Sequence, residues 1–399
     1  MKLTAKVKLE TDDAPLLLRT MESANECARW TGQQAWQSKT FGKHALQKLT
    51  YAEARRRTGL TAQVVIRIIA KVADAYRSAF ALHRLRTTEV KRQNKKLAKL
   101  GKPLKPLPVM GPVEFRNTGS IAYDDRILRW MPAEHAVSIW TLEGRRKISF
   151  VGGEHQYALL ATRKGESDLI YQGGKFYLAA TCDAPEAPML DAIGFLGVDL
   201  GVANIASDSD GKRHSGSQVK SVRYRNRRLR TNLQKKQTRA AKRRLQKLSG
   251  REARFAKDTN HVISKEIVAC AKGTNRGIKL EDLSGIRDRV DTFGRRQRVV
   301  LHSWAFHQLA GFVSYKAQRA GVPVIFVDPR NTSRECAECG HIAKGNRPNQ
   351  STFRCLACSH ADNGDTNAAR VISGRGAVIR PNVANCAVVS HGSATSPRL

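Results

Sequence analysis

Apolar and charged residues alternate near the start of the chain, in KLTAKVKLE, and this period of two predicts a half-exposed β-strand. From about residue 15 to residue 100 the apolar positions recur every three or four residues, which predicts helices. A stretch rich in Lys and then in Pro and Gly predicts a basic helix end and a linker between Thr87 and Pro112. One stripe, interpreted as a core-facing helix surface after an N-cap at Thr61, consists of Val65, Ile69, Val72, Tyr76 and Phe80.

Four short runs between about residues 114 and 185 predict the strands of an all-β unit joined by tight turns. The runs are RKISFVG, YALLATR, DLIYQGG and KFYLAAT. The N-terminal strand shares this β character. We therefore predict that it completes the same sheet and that the helices are an insertion.

The second half of the chain alternates strand and helix patterns. After a linker at Pro185–Pro188, IGFLGVDLGVANIASDSDG predicts two apolar strands and a hairpin turn at its end. The segment 220–257 holds 16 Lys or Arg residues and one acid, Glu252. It predicts one long basic helix that continues through HVISKEIVACAK.

Three further elements and a tail are predicted beyond that helix. IKLE predicts a strand that ends at Glu281, VPVIFV predicts a buried strand, and a short helix is predicted around Asn367–Ile372. The tail from Gly374 is expected to be mobile. Between the two strands, apolar spacing predicts a helix from Leu301, Trp304, Ala305, Leu309 and Phe312.

Net charge narrows the possible partners. Lys and Arg total 70 against 34 Asp and Glu, which gives a net charge of +36. A surplus this large repels itself in a compact chain and is best explained by a polyanionic partner. The sequence shows no apolar run of about 18 residues and no signal peptide, so a membrane partner is not expected.

Two C-x-x-C pairs predict a structural zinc ribbon, because each pair turns two thiolates toward one tetrahedral centre. Four Cys ligands leave no open position for water, so the zinc is expected to be structural rather than catalytic. His341 and His360 lie nearby as alternative ligands, but the spacing favours the cysteines. The predicted zinc ligands are Cys336, Cys339, Cys355 and Cys358, whereas the scattered Cys27, Cys182, Cys270 and Cys386 are expected to stay unpaired in a reducing compartment.

Three acids lie at the edges of apolar elements. Asp199 ends GFLGVD, Glu281 follows a short strand, and Asp365 opens the last predicted helix. A charged group beside buried strands requires a reason, and phosphodiester hydrolysis with two Mg²⁺ ions requires several carboxylates at one point. Local competitors for these roles are Asp282, Asp362, Asp208 and Asp210, of which the last two are interpreted as turn residues.

At this point the motifs resemble a known family. GVDLGVANIA, LEDL, a C-x-x-C pair preceded by Thr332-Ser333, a second C-x-x-C pair and D-x-N-A-A follow one another in the order typical of TnpB. TnpB proteins are transposon-associated, RNA-guided DNA endonucleases, considered ancestors of the type V CRISPR effectors. The chain departs from the usual Asp-Arg-Asp of that family, since it has Asn363-Gly364-Asp365.

The resemblance implies an α+β multidomain protein with an RNase H-like (RuvC) α/β nuclease domain, a zinc ribbon and an N-terminal wedge-type β-barrel that carries a helical recognition insertion. On this basis the barrel is expected at 1–14 and 111–188, and the helical lobe at 15–110. The nuclease domain is expected at 189–330 and 360–375, with the ribbon at 331–359 and a flexible tail at 376–399.

The resemblance also implies partners and site residues. Asp199, Glu281 and Asp365 match the three acids that hold Mg²⁺, a guide RNA pairs with one strand of target double-stranded DNA, and the setting is the prokaryotic cytoplasm near the nucleoid. The ribbon is expected to touch nucleic acid through Lys344, Arg347 and Arg354. The basic helix is expected to grip phosphates on more than one side through Arg223, Arg227, Arg228, Arg230, Lys235, Lys236, Arg239 and Arg243.

The leading hypothesis is an RNA-guided, Mg²⁺-dependent endonuclease of the TnpB type. A nuclease-inactive RNA-guided DNA-binding repressor and a compact type V CRISPR effector remain alternatives. A transposase that performs strand transfer is disfavoured, because it offers no role for the ribbon and the basic helix.

Overall fold

A computed structural model describes residues 1–283 and 306–376. The chain divides into two compact units, Met1–Ala184 and Pro185–Leu399, each with its own hydrophobic core. Leu301, Trp304 and Ala305, three residues of the helix predicted between the IKLE and VPVIFV strands, lie outside the described residues. The predicted tail beyond residue 376 lies outside them too.

Three helices follow the first strand in the N-terminal unit: α1 (Ala14–Gln37), α2 (Lys43–Thr58) and α3 (Ala62–Lys99). The predicted apolar stripe lies on α3 and is confirmed. Its first four residues are buried, and Phe80 packs against the same core. Thr61 occupies the N-cap position with an extended backbone, as predicted, although its side chain makes no capping hydrogen bond.

The β-structure of this unit is a seven-stranded, nearly closed barrel. Its strands are β1 (Lys2–Glu10), β2 (Ile121–Tyr123), β3 (Leu128–Met131), β4 (Ala136–Thr141), β5 (Gly144–Val151), β6 (Arg163–Gln172) and β7 (Lys175–Asp183). Their order is β2-β6-β7-β1-β5-β4-β3. The Trp130 indole on the edge strand β3 donates a hydrogen bond over 3.1 Å to Ser167 Oγ on β6, which is the neighbour of the other edge strand.

The N-terminal strand joins this sheet, as predicted, because β1 pairs antiparallel with both β5 and β7. The chain leaves the barrel after Glu10 and returns at Ile121. The three helices are therefore inserted between two strands of one sheet.

One of the four predicted strands is wrong. Most of YALLATR forms the short helix α4 (Glu154–Leu160), and the next strand begins only at Arg163. Local capping explains the helix, since Gly153 N donates to the Gln156 side chain over 3.0 Å. The sequence runs also omitted β2, β3 and β4, which are three to six residues long.

The C-terminal unit contains a five-stranded mixed sheet of the RNase H type. Its strands are β8 (Phe195–Asp199), β9 (Asn204–Asp208), β10 (Arg213–Ser215), β11 (Gly277–Glu281) and β12 (Val324–Val327), in the order β10-β9-β8-β11-β12. β8, β11 and β12 run parallel, whereas β8, β9 and β10 form antiparallel pairs. This order confirms the predicted strands and hairpin, but the predicted burial of VPVIFV is wrong in part, because Phe326 on β12 is 38% exposed.

Four described helices surround this sheet: α5 (Ser217–Lys236), α6 (Arg239–Gly273), α7 (Phe306–Ala320) and α8 (Gly364–Gly374). The single long basic helix of the sequence prediction is wrong, because α5 and α6 are separate. Gln237 takes a left-handed conformation with φ 50°, and Thr238 Oγ1 accepts a hydrogen bond from Ala241 N over 3.2 Å to cap the second helix. The basic residues therefore lie on two helices.

Helix α8 packs closely on β8, and a glycine makes this possible. A Cβ at Gly197 would collide with the backbone of Ala369 and Ser373. Ser373 Oγ also donates to the Phe195 carbonyl over 2.6 Å. This close packing brings the first turn of α8 toward the end of β8.

Candidate active site

Asp199 and Glu281 end two neighbouring strands of the same sheet. In the parallel pair β8/β11, Val198 lies opposite Leu280, so the next residue on each strand is one of the two acids. Parallel strands present their carboxyl ends at one edge of a sheet, and catalytic groups in open α/β sheets gather at such edges. The register alone therefore places these two acids side by side.

Asp365 reaches the same edge from the first turn of α8. Asn363 caps this helix, and its side-chain oxygen accepts a hydrogen bond from Asp365 N over 3.1 Å. The Asp365 side chain is 7% exposed. Its Oδ2 accepts a hydrogen bond over 2.8 Å from the amide of Asn204 at the start of β9.

The three carboxylates share one electrostatic environment. Burial raises the pKa of Asp199 well above its ordinary value, and the nearby charges of Glu281 and Asp365 raise it further. Burial also raises the pKa of Glu281, whereas the hydrogen bond from Thr332 and the charge of Arg375 oppose that shift. Thr332 Oγ1 donates to Glu281 Oε1 over 2.5 Å. Several carboxylates close together in a desolvated pocket repel one another, and this repulsion favours the binding of a cation among them.

The carboxylates are not as tightly gathered as the predicted zinc ligands. Within residues 1–283 and 306–376, the four cysteines are the group whose potential ligand atoms all lie within 4.8 Å of one another. A basic side chain already contacts the acids, because Arg347 Nη2 lies 2.5 Å from Asp365 Oδ1. The structure thus brings the three acids to one edge in an arrangement that includes a guanidinium.

The competing acids have other partners. Asp362 lies 3.0 Å from Arg370, and Asp210 pairs with Arg276. Asp208 accepts hydrogen bonds from the backbone N–H groups of Asp210 and Lys212, as expected for a turn residue. Asp282 N donates to the Val327 carbonyl over 2.9 Å. The carboxylates of Asp362, Asp210 and Asp208 are therefore engaged in contacts other than those of Asp199, Glu281 and Asp365.

The four cysteines of the ribbon form a cluster suited to zinc. The Sγ atoms of Cys336 and Cys358 are 3.7 Å apart, and those of Cys339 and Cys355 are 3.5 Å apart. A tetrahedral zinc with Zn–S bonds of about 2.3 Å would separate its sulfurs by about 3.8 Å. Backbone N–H groups of residues 358 and 357 point at Cys355 and lower its thiol pKa to about 6.

The two histidines near the ribbon act through their backbone. The His341 carbonyl accepts from Cys336 N over 3.0 Å, and the His360 carbonyl accepts from Cys355 N over 2.8 Å. Each interaction closes one C-x-x-C turn. The cysteines alone make up the described ligand cluster.

Two family profiles match the C-terminal unit. The family described as "Probable transposase" matches residues 186–284, which carry Asp199 and Glu281, and the family described as "Cas12f1-like, TNB domain" matches residues 306–372, which carry the cysteines and Asp365. A TnpB-like protein of Methanocaldococcus jannaschii is 36% identical over 115 residues, which cover 29% of this chain and 41% of that protein. These matches support the resemblance to TnpB.

Further comparisons point to the same group of proteins. The CRISPR-associated endodeoxyribonuclease Cas12f1 of Sulfoacidibacillus thermotolerans is 35% identical over 217 residues, which cover 50% of each chain. The chain therefore spans about half the length of that curated relative. A solved structure of a Cas12f1-sgRNA-target DNA complex shares the fold with a TM-score of 0.56 and 14% identity, over 94% of this chain and 98% of that one.

The predicted nucleic-acid-binding residues fall into two groups. Arg223 and Arg230 lie 3.8 Å and 2.8 Å from Glu252, and these ion pairs join α5 to α6. The remaining predicted contacts lie on exposed parts of the two helices: Arg227, Arg228, Lys235, Lys236, Arg239 and Arg243. Two of the eight predicted residues therefore have a structural role that the sequence did not indicate.

Several residues of the site were missed by sequence reasoning. Asn204 and Gln350 carry no charge, and their contacts with Asp365 depend on folding. Thr332 was noticed only as part of a family motif. Arg347 was expected to touch nucleic acid, but its side chain is 15% exposed and contacts Asp365.

The raised pKa of Asp199 predicts how stability depends on pH in magnesium-free buffer. Above the pKa of an unfolded Asp, the folded protein keeps a proton that the unfolded chain has released. The free energy of unfolding therefore falls as pH rises through the folded pKa. We expect Asp199→Asn to raise the Tm at pH 8 by about 2–4 °C, which corresponds to about 1 kcal/mol.

Thermal unfolding between pH 5 and pH 8 measures this effect, and the curves of the variant and the parent should converge at the acidic end. Asp210→Asn is the matched control. The pKa of Asp210 is lowered by Arg276, so this variant should not become more stable at pH 8. A Tm of Asp199→Asn equal to or below that of the parent at pH 8 would contradict the assignment.

Proposed function

We propose that this protein is an RNA-guided DNA endonuclease of the TnpB type, which hydrolyses DNA phosphodiester bonds with Mg²⁺ held by Asp199, Glu281 and Asp365. The observation that carries the proposal is the convergence of these three acids at one edge of an RNase H-like sheet. The family-model matches support it, as does the name of a relative that is similar over half its length, a CRISPR-associated endodeoxyribonuclease.

The residues at this edge fit a hard divalent cation. Mg²⁺ prefers carboxylate oxygens, and Asp199 and Glu281 are buried carboxylates whose pKa values are raised mainly by that burial. Bound Mg²⁺ would supply Lewis-acid stabilisation of the charge that develops on the phosphate and on the attacking and leaving oxygens.

The protein's own groups orient these ligands. Thr332 holds one oxygen of Glu281 and leaves the other available. Asn204 fixes the rotamer of Asp365 from the neighbouring strand. Asp199 lies between them on the central strand, and the charges of both other acids act on it. Asp199, Glu281 and Asp365 would therefore hold the Mg²⁺ ions.

The net charge and the basic helices support nucleic-acid partners. A charge of +36 requires neutralisation by a polyanion, and α5 and α6 expose most of the predicted contacts. We propose a guide RNA and target double-stranded DNA as these partners, acting in the prokaryotic cytoplasm at the nucleoid. None of the described helices is long and apolar enough to span a bilayer.

A compact type V CRISPR effector is the second candidate, and the match to the Cas12f1-like TNB family favours it. The chemistry at the acids is the same in both. RNA that copurifies with the protein distinguishes them, since a transposon-end RNA supports the TnpB type and a repeat-derived RNA supports an effector.

Cleavage of a plasmid by the purified protein with its copurified RNA tests the proposed function. We expect Mg²⁺-dependent cutting only when the plasmid carries a sequence complementary to the guide, and we expect the cut to move when the guide is changed. Tight target binding without any cutting would instead support the nuclease-inactive repressor.

The exposed arginines and the arginines paired with Glu252 should affect the salt dependence of RNA binding differently. We expect Arg227→Ala combined with Arg228→Ala to weaken RNA binding at least about fivefold and to reduce the slope of log K against log salt by about 1 to 2, because each exposed arginine releases about one counterion. Arg223→Ala should mainly lower the Tm, because it breaks an ion pair with Glu252. Equal effects of both changes on the salt slope would contradict this division.

A further inference from the structure

Arg347 and Gly364 form a matched pair at the acidic edge. The Arg347 guanidinium lies between Asp365 Oδ1, at 2.5 Å, and the Gln350 carbonyl, at 2.8 Å. A Cβ at position 364 would lie 2.9 Å from Arg347 Nε and 3.0 Å from its Cζ. Any side chain larger than hydrogen at position 364 would therefore push the guanidinium aside.

This pairing gives a physical account of the chain's departure from the Asp-Arg-Asp pattern. The guanidinium beside Asp365 comes from the ribbon, 18 positions earlier in the chain, and glycine leaves the space that it fills. An arginine at position 364 would require that space for its own Cβ. The two arrangements are sterically exclusive.

Both oxygens of Asp365 already accept hydrogen bonds. Oδ2 is bound by the Asn204 amide, and Oδ1 is bound by Arg347 and, over 3.3 Å, by the Gln350 amide. A carboxylate offers about four acceptor sites, so a divalent ion that binds Oδ1 must replace one of its two donors. The positively charged donor is the one that the ion repels most strongly.

We propose that Arg347 is a built-in counterion of the ion site, which holds the Asp365 carboxylate in the ion-free protein and competes with the divalent ion for it. Arg347 is thus a positioning residue that acts through Asp365, and the glycine at position 364 is its structural complement. This inference rests on the ion site of the proposed function.

Binding of Mn²⁺ alone to zinc-loaded protein, measured by calorimetry, tests the counterion. We expect Arg347→Gln to tighten Mn²⁺ binding about five- to twentyfold and to lower the Tm in manganese-free buffer, because a buried carboxylate loses its charged partner. Arg347→Lys keeps the charge and should restore an affinity near that of the parent. Arg354→Gln removes an exposed charge from the same ribbon and should change neither quantity.

A glycine variant tests the pair without removing the arginine. We expect Gly364→Ala to displace the guanidinium and to tighten Mn²⁺ binding in the same direction as Arg347→Gln. Gly374→Ala, where a Cβ would meet nothing within 4 Å, should leave the affinity unchanged.

The possible outcomes distinguish a failure of the counterion proposal from a failure of the proposed function. Unchanged or weaker Mn²⁺ binding by Arg347→Gln, in a protein whose parent binds Mn²⁺, overturns the counterion and leaves the proposed function standing. Failure of the parent and of both variants to bind Mn²⁺ would overturn the ion site itself, and the counterion with it.

Discussion

Replacing Asp199 by Ala is expected to reduce DNA cleavage at least about a thousandfold, which corresponds to about 4 kcal/mol of lost transition-state stabilisation. The reason is positional. Asp199 lies on the central strand, and the charges of Glu281 and Asp365 both act on it, so no other described acid can take its place. Binding of guide RNA should stay within about twofold of the parent, because the exposed basic residues of α5 and α6 are unchanged.

Cleavage of a guide-matched plasmid under single-turnover conditions, together with a filter-binding assay for RNA, measures both quantities. Asp210→Asn removes one carboxylate from the neighbouring hairpin and should cut at nearly the parent rate. Comparison of Asp365→Asn with Asp362→Asn identifies the third acid, and only the former should abolish cutting. Normal cutting by Asp199→Ala would refute the proposed site.

The sequence was sufficient to predict the acids because local patterns mark them. Asp199 and Glu281 each follow a run of apolar residues, and strand ends of this kind are visible without tertiary information. Their adjacency was not visible, since it depends on the parallel pairing of β8 with β11 across 82 residues. The family resemblance supplied that link, and the register now gives its physical basis.

The errors of the sequence analysis arose where the local sequence signal was weak or where a neighbouring interaction outweighed it. YALLATR has strand-like composition, but a cap at Gly153 starts a helix. The break between α5 and α6 depends on the left-handed conformation of Gln237. The sequence has no glycine or proline at this position that would predict a helix end. Arg347 resembled other basic residues of the ribbon until its contact with Asp365 was seen. Each site residue that the sequence analysis missed owes its role to a contact with a residue distant in the chain.

The ribbon connects to the acids through short polar contacts, so zinc and catalysis should be coupled. The Asn367 side chain, which is fully buried on α8, accepts from Ala337 N over 3.0 Å and donates to the Glu335 carbonyl over 2.8 Å. Both partners flank Cys336. The ribbon also carries Arg347, and Thr332 lies just before it.

We therefore expect Cys336→Ser to reduce cleavage at least about a hundredfold and to lower the Tm of the C-terminal unit, because a three-ligand site loses much of the folding energy that zinc supplies. Zinc content by atomic absorption, single-turnover cleavage and hydrogen exchange measure the effect. Protection should fall in α8 and in the ribbon, whereas the barrel of the N-terminal unit should keep its protection, since it has a separate core.

Cys270→Ser provides the matched control, because this partly exposed thiol lies on α6 outside the cysteine cluster. It should retain zinc and cut at nearly the parent rate. If Cys336→Ser lost its zinc and still cut normally, the ribbon would be independent of the acids. The contacts of Asn367 would then serve only the local packing of α8. Residues on both sides of Cys336 are hydrogen-bonded to the one buried side chain of Asn367. We therefore expect the zinc ribbon and the acids to be coupled rather than independent.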